Sequence, residues 1–171
     1  MIGGKTSAHV ELLTRETAPL LARPFFVGGD PGPIASALAH VPELMETALP
    51  FIGSVFGPTS IDPRIKEIVV LRVSSANDCR YCIETHSGVA QVMGFAPDEV
   101  AALRGEGAPP VRWSATERAV LAFAEAISER PAQAVDILQE HFGDAQIVEL
   151  VTLGAATIML NRFATALGLP A

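Results

Sequence analysis

Only two cysteines occur among the 171 residues, with one tryptophan and one tyrosine. Two cysteines are too few for the disulfide framework of a small secreted scaffold. Basic residues are also scarce: 12 Lys and Arg face 19 Asp and Glu, for a net charge of −7. They form no cluster, so a nucleic-acid partner is not expected. No run reaches the ~18 apolar residues of a membrane-spanning helix. The most apolar stretch, 151–160, contains Thr152 and Thr157 and lies between Glu149 and Arg162, a pattern that predicts a buried bundle helix rather than a membrane partner. Met1-Ile-Gly-Gly-Lys5 lacks the apolar centre of a leader peptide. Together with the cysteine usage, this predicts a cytoplasmic protein. A glycine-rich nucleotide fingerprint and strand-like alternation are missing too, which leaves an all-α fold with no bound flavin, haem or other cofactor expected.

What is present gathers in one stretch, from Glu67 to His86. Both cysteines lie there, as Cys79-Arg-Tyr-Cys82, and His86 follows four positions after the second. The segment 82–86 holds no helix breaker, and residues four apart share a helix face. His86 can therefore reach the Cys82 sulfur and take its proton, the basic arrangement for an activated nucleophile. Cys79, three positions earlier, can close a disulfide with Cys82. Ser74, Ser75, Asn77 and Asp78 are all cap-forming residues. A cap at Asn77 or Asp78 would put Cys79 in the first helical turn, nearer the exposed end, where the dipole favours a thiolate. On this geometry Cys82 attacks and Cys79 resolves by condensing with a sulfenic acid. Glu67 sits in the apolar run Ile65–Leu71. If buried with a partner, a carboxylate there suits a proton relay, although spacing alone does not set it against His86.

Other readings of the same residues stay open at this stage. The cysteines could be ordinary core residues. Cys79, Cys82, His86 and Glu67 could instead supply the four ligands of a structural zinc, though no second Cys/His cluster supports a metal. Glu67 could be a surface ion-pair partner.

The chain around this stretch predicts a single helical bundle of residues 33–171 behind an arm, residues 1–32. A short helix is expected over 8–22, followed by an irregular Pro/Gly-rich segment, 23–33. Phe25 and Phe26 are too apolar for water, so the arm should pack on the body or on a neighbouring subunit. Helical pattern runs over 34–55, interrupted by Pro42 and Pro50. Ser60 or Asp62 then caps a helix that opens with Pro63 and carries Glu67. The cysteine helix should run from about Asp78 to Met93, stopped by Gly94. A short helix to Leu103 and a loop, 104–112, follow. Ser114-Ala-Thr-Glu117 is a capping box for helix 115–129. Helices over 131–142 and 144–167 complete the pattern. Apolar residues make up 49% of the chain and charged residues 18%, a balance that leaves surface for self-association.

Two longer-range patterns stand out. Ile65–Leu71 resembles Ile147–Leu153, and the same offset lays Cys79-Arg-Tyr-Cys82 over Asn161-Arg-Phe-Ala164. This suggests a duplicated helix pair whose second copy lost its thiols, with Glu149 and Asn161 structural or lining the opposite side of one cleft. Chance similarity between apolar helices is the alternative. The second pattern is Glu, eleven residues, Cys, two residues, Cys, three residues, His. With Pro63–Glu67, Gly94-Phe95 and Asn161-Arg-Phe163 around it, this resembles the core of the AhpD-like alkylhydroperoxidases of the carboxymuconolactone decarboxylase family, over roughly residues 40–168. The resemblance implies a thiol-dependent peroxidase in which Cys82 attacks a hydroperoxide, Cys79 resolves, and Glu67 and His86 relay the proton. With no nucleotide fingerprint, the electrons must come from an external thiol or disulfide-reductase partner; helix pairs that cannot bury their own apolar faces predict a homo-oligomer, which the resemblance implies is a trimer or hexamer. The resemblance departs at Tyr81, where the alkylhydroperoxidases carry a second histidine; a phenol of pKa ~10 is a poor base at neutral pH. A decarboxylase or lactone-processing enzyme using His86 and Glu67 is the alternative within the same fold, and a non-catalytic redox-sensing module is the alternative outside it.

Overall fold

The computed structural model describes residues 8–171; the first seven residues of the arm, and with them the reading of Met1–Lys5, lie outside the described residues. Among the described residues the chain is helical and has no strand. Eight helices follow the arm: α1 (Pro33–Leu38), α2 (Pro42–Phe56), α3 (Pro63–Ala76), α4 (Arg80–Val92), α5 (Pro97–Leu103), α6 (Ala115–Glu129), the single turn α7 (Pro131–Ala134) and α8 (Asp144–Leu167). Local chemistry sets most of these boundaries. Five of the seven helices before α8 open with a proline, a residue whose fixed φ suits a first turn and whose missing N–H is not needed there. The Asp62 side chain accepts from Arg64 N–H at 2.7 Å at the start of α3. Ser114 and Glu117 form the reciprocal capping box of α6. Gly94 and Gly168, at φ 87° and 61°, end the chain turns after α4 and α8 in the left-handed region.

Three segments differ from the sequence expectation. Residues 8–22 form turns, not a helix. Thr14 bonds its own neighbours there, its N–H donating to Thr17 Oγ1 and its hydroxyl to Glu16, which competes with helix formation. Pro50 does not interrupt its helix; it lies inside α2. Beyond Ala134 the expected helix to 142 gives way to a 3-10 turn, Val135–Ile137, and irregular chain. Two β-branched residues flanking Asp136 favour helix poorly, and burial of Leu138 fixes the segment instead.

The core lies where α3, α6 and α8 meet, filled by Ile68, Val69, Leu71, Val73, Val120, Phe123, Leu150 and Leu153. Gly154 permits the close approach of α8 to α6, since a Cβ there would come within 2.8 Å of Ile127 Cδ1. By length and composition alone α8 could cross a membrane; here it packs against α2, α3, α4 and α6. The described part of the arm, 8–32, folds back onto the bundle. Phe26 is buried with Leu13, Ala18, Ala22, Leu38 and Met45, and Phe25 packs beside them. His9 N–H donates to Leu167 O at 2.8 Å, tying the arm to the end of α8. Where the repeat pattern matches two helices, α3 and α4, to residues 147–164, the latter form part of one continuous helix.

Candidate active site

The junction between α3 and α4 builds the thiol pair. Asp78 takes φ 53°, the left-handed conformation that a short polar side chain tolerates. That turn lets Cys79 N–H reach Ser74 O at 3.0 Å. Asn77 secures the turn: its Nδ2 donates to Val73 O and Ser128 Oγ, and its Oδ1 accepts from Arg162. Because Asp78 is committed to ending α3, neither it nor Asn77 caps α4, contrary to expectation. Cys79 is the cap residue, and its Sγ accepts the Cys82 N–H at 3.4 Å. Cys82 therefore occupies the first turn, where the helix dipole favours negative charge. Cys79 is also not the exposed member: it is fully buried, and Cys82 is 5% exposed. Their Cα atoms are 5.3 Å apart, within the span of a disulfide.

Folding α4 onto α3 sets Glu67 against His86. Glu67 Oε1 lies 2.9 Å from His86 Nδ1, and the Glu67 side chain is 8% exposed. A carboxylate accepts, so the Nδ1 proton points at Glu67 and Nε2 is the ring nitrogen left free of that bond. His86 borders two cavities. One, of about 70 Å³, is lined by Cys82, Tyr81, Thr85, His86, Ser74 and Asn161, with Ile34, Phe56, Val70, Thr157 and Leu160. The other, of about 310 Å³, is mostly apolar and includes Glu67, His86, Phe56, Val70, Val89 and Met93. A larger cavity of about 430 Å³ belongs to the arm and contains none of the four motif residues. Burial pushes the Tyr81 hydroxyl above its ordinary range, against the opposing effect of its bond to Thr85, so it stays protonated near neutral pH and is no replacement for a basic histidine.

The four candidates, Glu67, Cys79, Cys82 and His86, are thus brought together. Among the described residues, however, no group of three or more His, Cys, Asp or Glu side chains is gathered to hold a metal ion. The sequence reading did not single out Ser74 as a site residue. Its signal is spacing, since positions 67, 70 and 74 share a face of α3. Asn161 lines the thiol cavity. It is 1% exposed, its Nδ2 donates to Ser74 Oγ at 3.0 Å, and its Oδ1 is buried without a partner, which costs on the order of 1–3 kcal/mol. Glu149 lies elsewhere, paired with Lys66. Trp113 is buried in the core and donates to Glu99 at 2.6 Å, away from both cavities.

An all-α bundle with a Cys-x-x-Cys pair at a helix start and a Glu–His pair beside it defines a class of small helical thiol proteins. Residues 42–126 match the carboxymuconolactone decarboxylase family, and the chain belongs to that family, with the AhpD-like all-α fold. It is 29% identical over 115 residues to the uncharacterized protein YdfG of Bacillus subtilis (strain 168), spanning 64% of this chain and 78% of YdfG. The AhpD-core, peroxidase-related protein of Ralstonia eutropha JMP134 superposes with a TM-score of 0.77 at 21% identity, covering 95% of this chain and 91% of that one. The debrominase Bmp8, solved with 2,3,4-tribromopyrrole, gives 0.78 at 24% identity, covering 96% and 93%. At these identities the two structures share the fold with this chain. The chemistry has to be argued from its own site.

Proposed function

We propose that the protein is a thiol-dependent peroxidase, an oxidoreductase. The observation that carries the reading is the bond between His86 and the buried Glu67, with His86 lining the cavity that holds Cys82 and Cys79 one turn away. In the proposed step His86 Nε2 takes the Cys82 proton and Glu67 stabilises the imidazolium. The thiolate attacks the terminal oxygen of a hydroperoxide. An S–O bond forms, the O–O bond breaks, and the departing alkoxide or hydroxide takes the proton from His86. The sulfur is oxidised to a sulfenic acid by two electrons and the peroxide is reduced. Cys79 then condenses with the sulfenic acid, releasing water and forming the disulfide. An external dithiol or disulfide-reductase partner returns two electrons, a cycle suited to a reducing, cytoplasmic compartment. Apolar side chains left exposed on α2 and α8, among them Leu44, Phe51, Val148 and Met159, support assembly as a homo-oligomer, for which the family resemblance implies a trimer or hexamer.

Free-thiol titration of the reduced protein before and after one equivalent of hydroperoxide tests this. Loss of both thiols within seconds, abolished by Cys82→Ser, is the expected result. Survival of both thiols at the rate of free cysteine sinks the reading. The 310 Å³ apolar cavity reached by Glu67 and His86 favours one second reading: acid–base work on a larger organic substrate, as in a decarboxylase or lactone-processing enzyme. That activity would survive replacement of both cysteines by serine. Reductive removal of a halogen, suggested by the likeness to the debrominase Bmp8, would not.

A further inference from the structure

Across the thiol cavity from α4, α8 presents Asn161, an amide that the acid–base relay does not use. Its plane is pinned by the bond from Nδ2 to Ser74 Oγ, and both residues are essentially inaccessible to solvent. Its Oδ1 accepts from nothing in the protein. The other polar groups lining the cavity do not supply a donor. Thr157 donates to Leu153 O at 2.8 Å, and His86 is held by Glu67. An unpartnered acceptor on a residue that lines a small space of about 70 Å³ calls for a small donor brought in from outside.

We propose that Asn161 is a substrate-binding residue that accepts the O–H of an incoming hydroperoxide and so selects which peroxide oxygen meets Cys82. The inference rests on Cys82 being the attacking thiol. The hydrogen of a hydroperoxide sits on its terminal oxygen, the atom to which sulfur must bond. Holding that O–H at Asn161 points the O–O bond away from the thiolate and toward His86, which protonates the leaving oxygen. An amide is the suitable acceptor, because a carboxylate so deeply buried beside a thiolate would repel it. The subsite therefore takes hydrogen peroxide and organic hydroperoxides, and it gives dialkyl peroxides, which have no O–H, nothing to hold them.

The test compares two reactions of the same reduced, full-length protein. One is oxidation of Cys82 by hydrogen peroxide and by tert-butyl hydroperoxide. The other is its alkylation by iodoacetamide across pH, which reads thiolate formation but needs no acceptor. Asn161→Ala is expected to slow both oxidations by roughly tenfold to a hundredfold and to leave the alkylation rate and its pH midpoint unchanged. Asn161→Ser is measured alongside it, and takes its place should circular dichroism show the alanine variant unfolded. A parallel fall in alkylation would make Asn161 a structural or thiolate-tuning residue and overturn the inference, as would oxidation at the wild-type rate. If wild-type protein is oxidised no faster than free cysteine, the peroxidase reading falls and the inference with it. Fast wild-type oxidation with an unaffected variant removes the inference alone.

Discussion

Glu67 and Glu149 hold matching places in two similar helical segments, yet the fold gives them opposite company. Glu67 bonds a histidine at 2.9 Å; Glu149 lies 3.1 Å from Lys66 Nζ and also accepts from Thr59 and Ser60. Lys66, the residue next to Glu67, is buried and donates to Val55 O and Gly57 O as well. Burial works against the Glu149 carboxylate, but its bonds to Thr59, Lys66 and Ser60 outweigh this and hold it below the ordinary range. The lesson concerns the partner rather than the carboxylate. An imidazole can both donate and accept a proton, which is what the proposed relay asks of the partner of Glu67. An ammonium cannot, so Glu149 clamps the loop after α2 to α3 and α8.

The comparison can be broken most severely at Cys82, the sulfur that the Glu67–His86 pair is proposed to serve. Cys82→Ser should abolish peroxide-dependent thiol loss, whereas Cys79→Ser should permit one oxidation and leave a sulfenic acid trappable by dimedone, read by mass spectrometry. Next come the carboxylates themselves. Glu67→Gln should lower the peroxide rate by about a hundredfold with a small change in melting temperature. Glu149→Gln should do the reverse. Leaving Lys66 without its counter-charge should cost about 2 kcal/mol, a fall in Tm of roughly 4–8 °C, with the rate per folded molecule retained.

A third carboxylate sharpens the contrast through pH. Burial opposes the charge on Glu99, but bonds from Ala96 N–H, Trp113 and Arg64 outweigh it and hold its pKa below the ordinary 4.5. Glu117, which also bonds Arg64, is lowered in the same way. Groups with depressed folded pKa values contribute stability that is complete above their unfolded value and is lost as pH falls through the folded one. Acid unfolding, followed by the fluorescence of Trp113, should therefore set in below about pH 4.5, and Glu99→Gln should flatten that acid limb. The smallest effect is expected at Tyr81. Since its phenol stays protonated, Tyr81→Phe should change the peroxide rate by less than about threefold, measured from pH 6 to 9.

Much of this architecture is legible locally. Asp62-Pro63, Ser114 with Glu117, and the bounds of α8 are signals carried within one or two turns. The acid–base pair is not, because Glu67 and His86 are 19 residues apart and meet only after α4 folds onto α3. Cys79 illustrates a local competition that the sequence leaves undecided. Asn77 and Asp78 are better caps by type, but closing α3 required a left-handed residue, and Asp78 supplied it. Asn161 could be placed near the cleft by its match to Cys79, but its unpaired oxygen depends on three helices converging.

The position of Cys79 as the cap of its own helix has a thermodynamic side. A bond to Cys82 would close a ring spanning only three steps of sequence. The chain entropy such a cross-link removes from the unfolded state corresponds to only about 2 kcal/mol, against nearly 5 for a loop of ~100 residues. Opening and closing the pair therefore shifts the folding equilibrium less than half as much as such a long-range cross-link would. In the proposed cycle the same bundle can therefore serve both redox states, with the driving force for re-reduction coming more from the chemistry of the two sulfurs than from the stability of the fold around them.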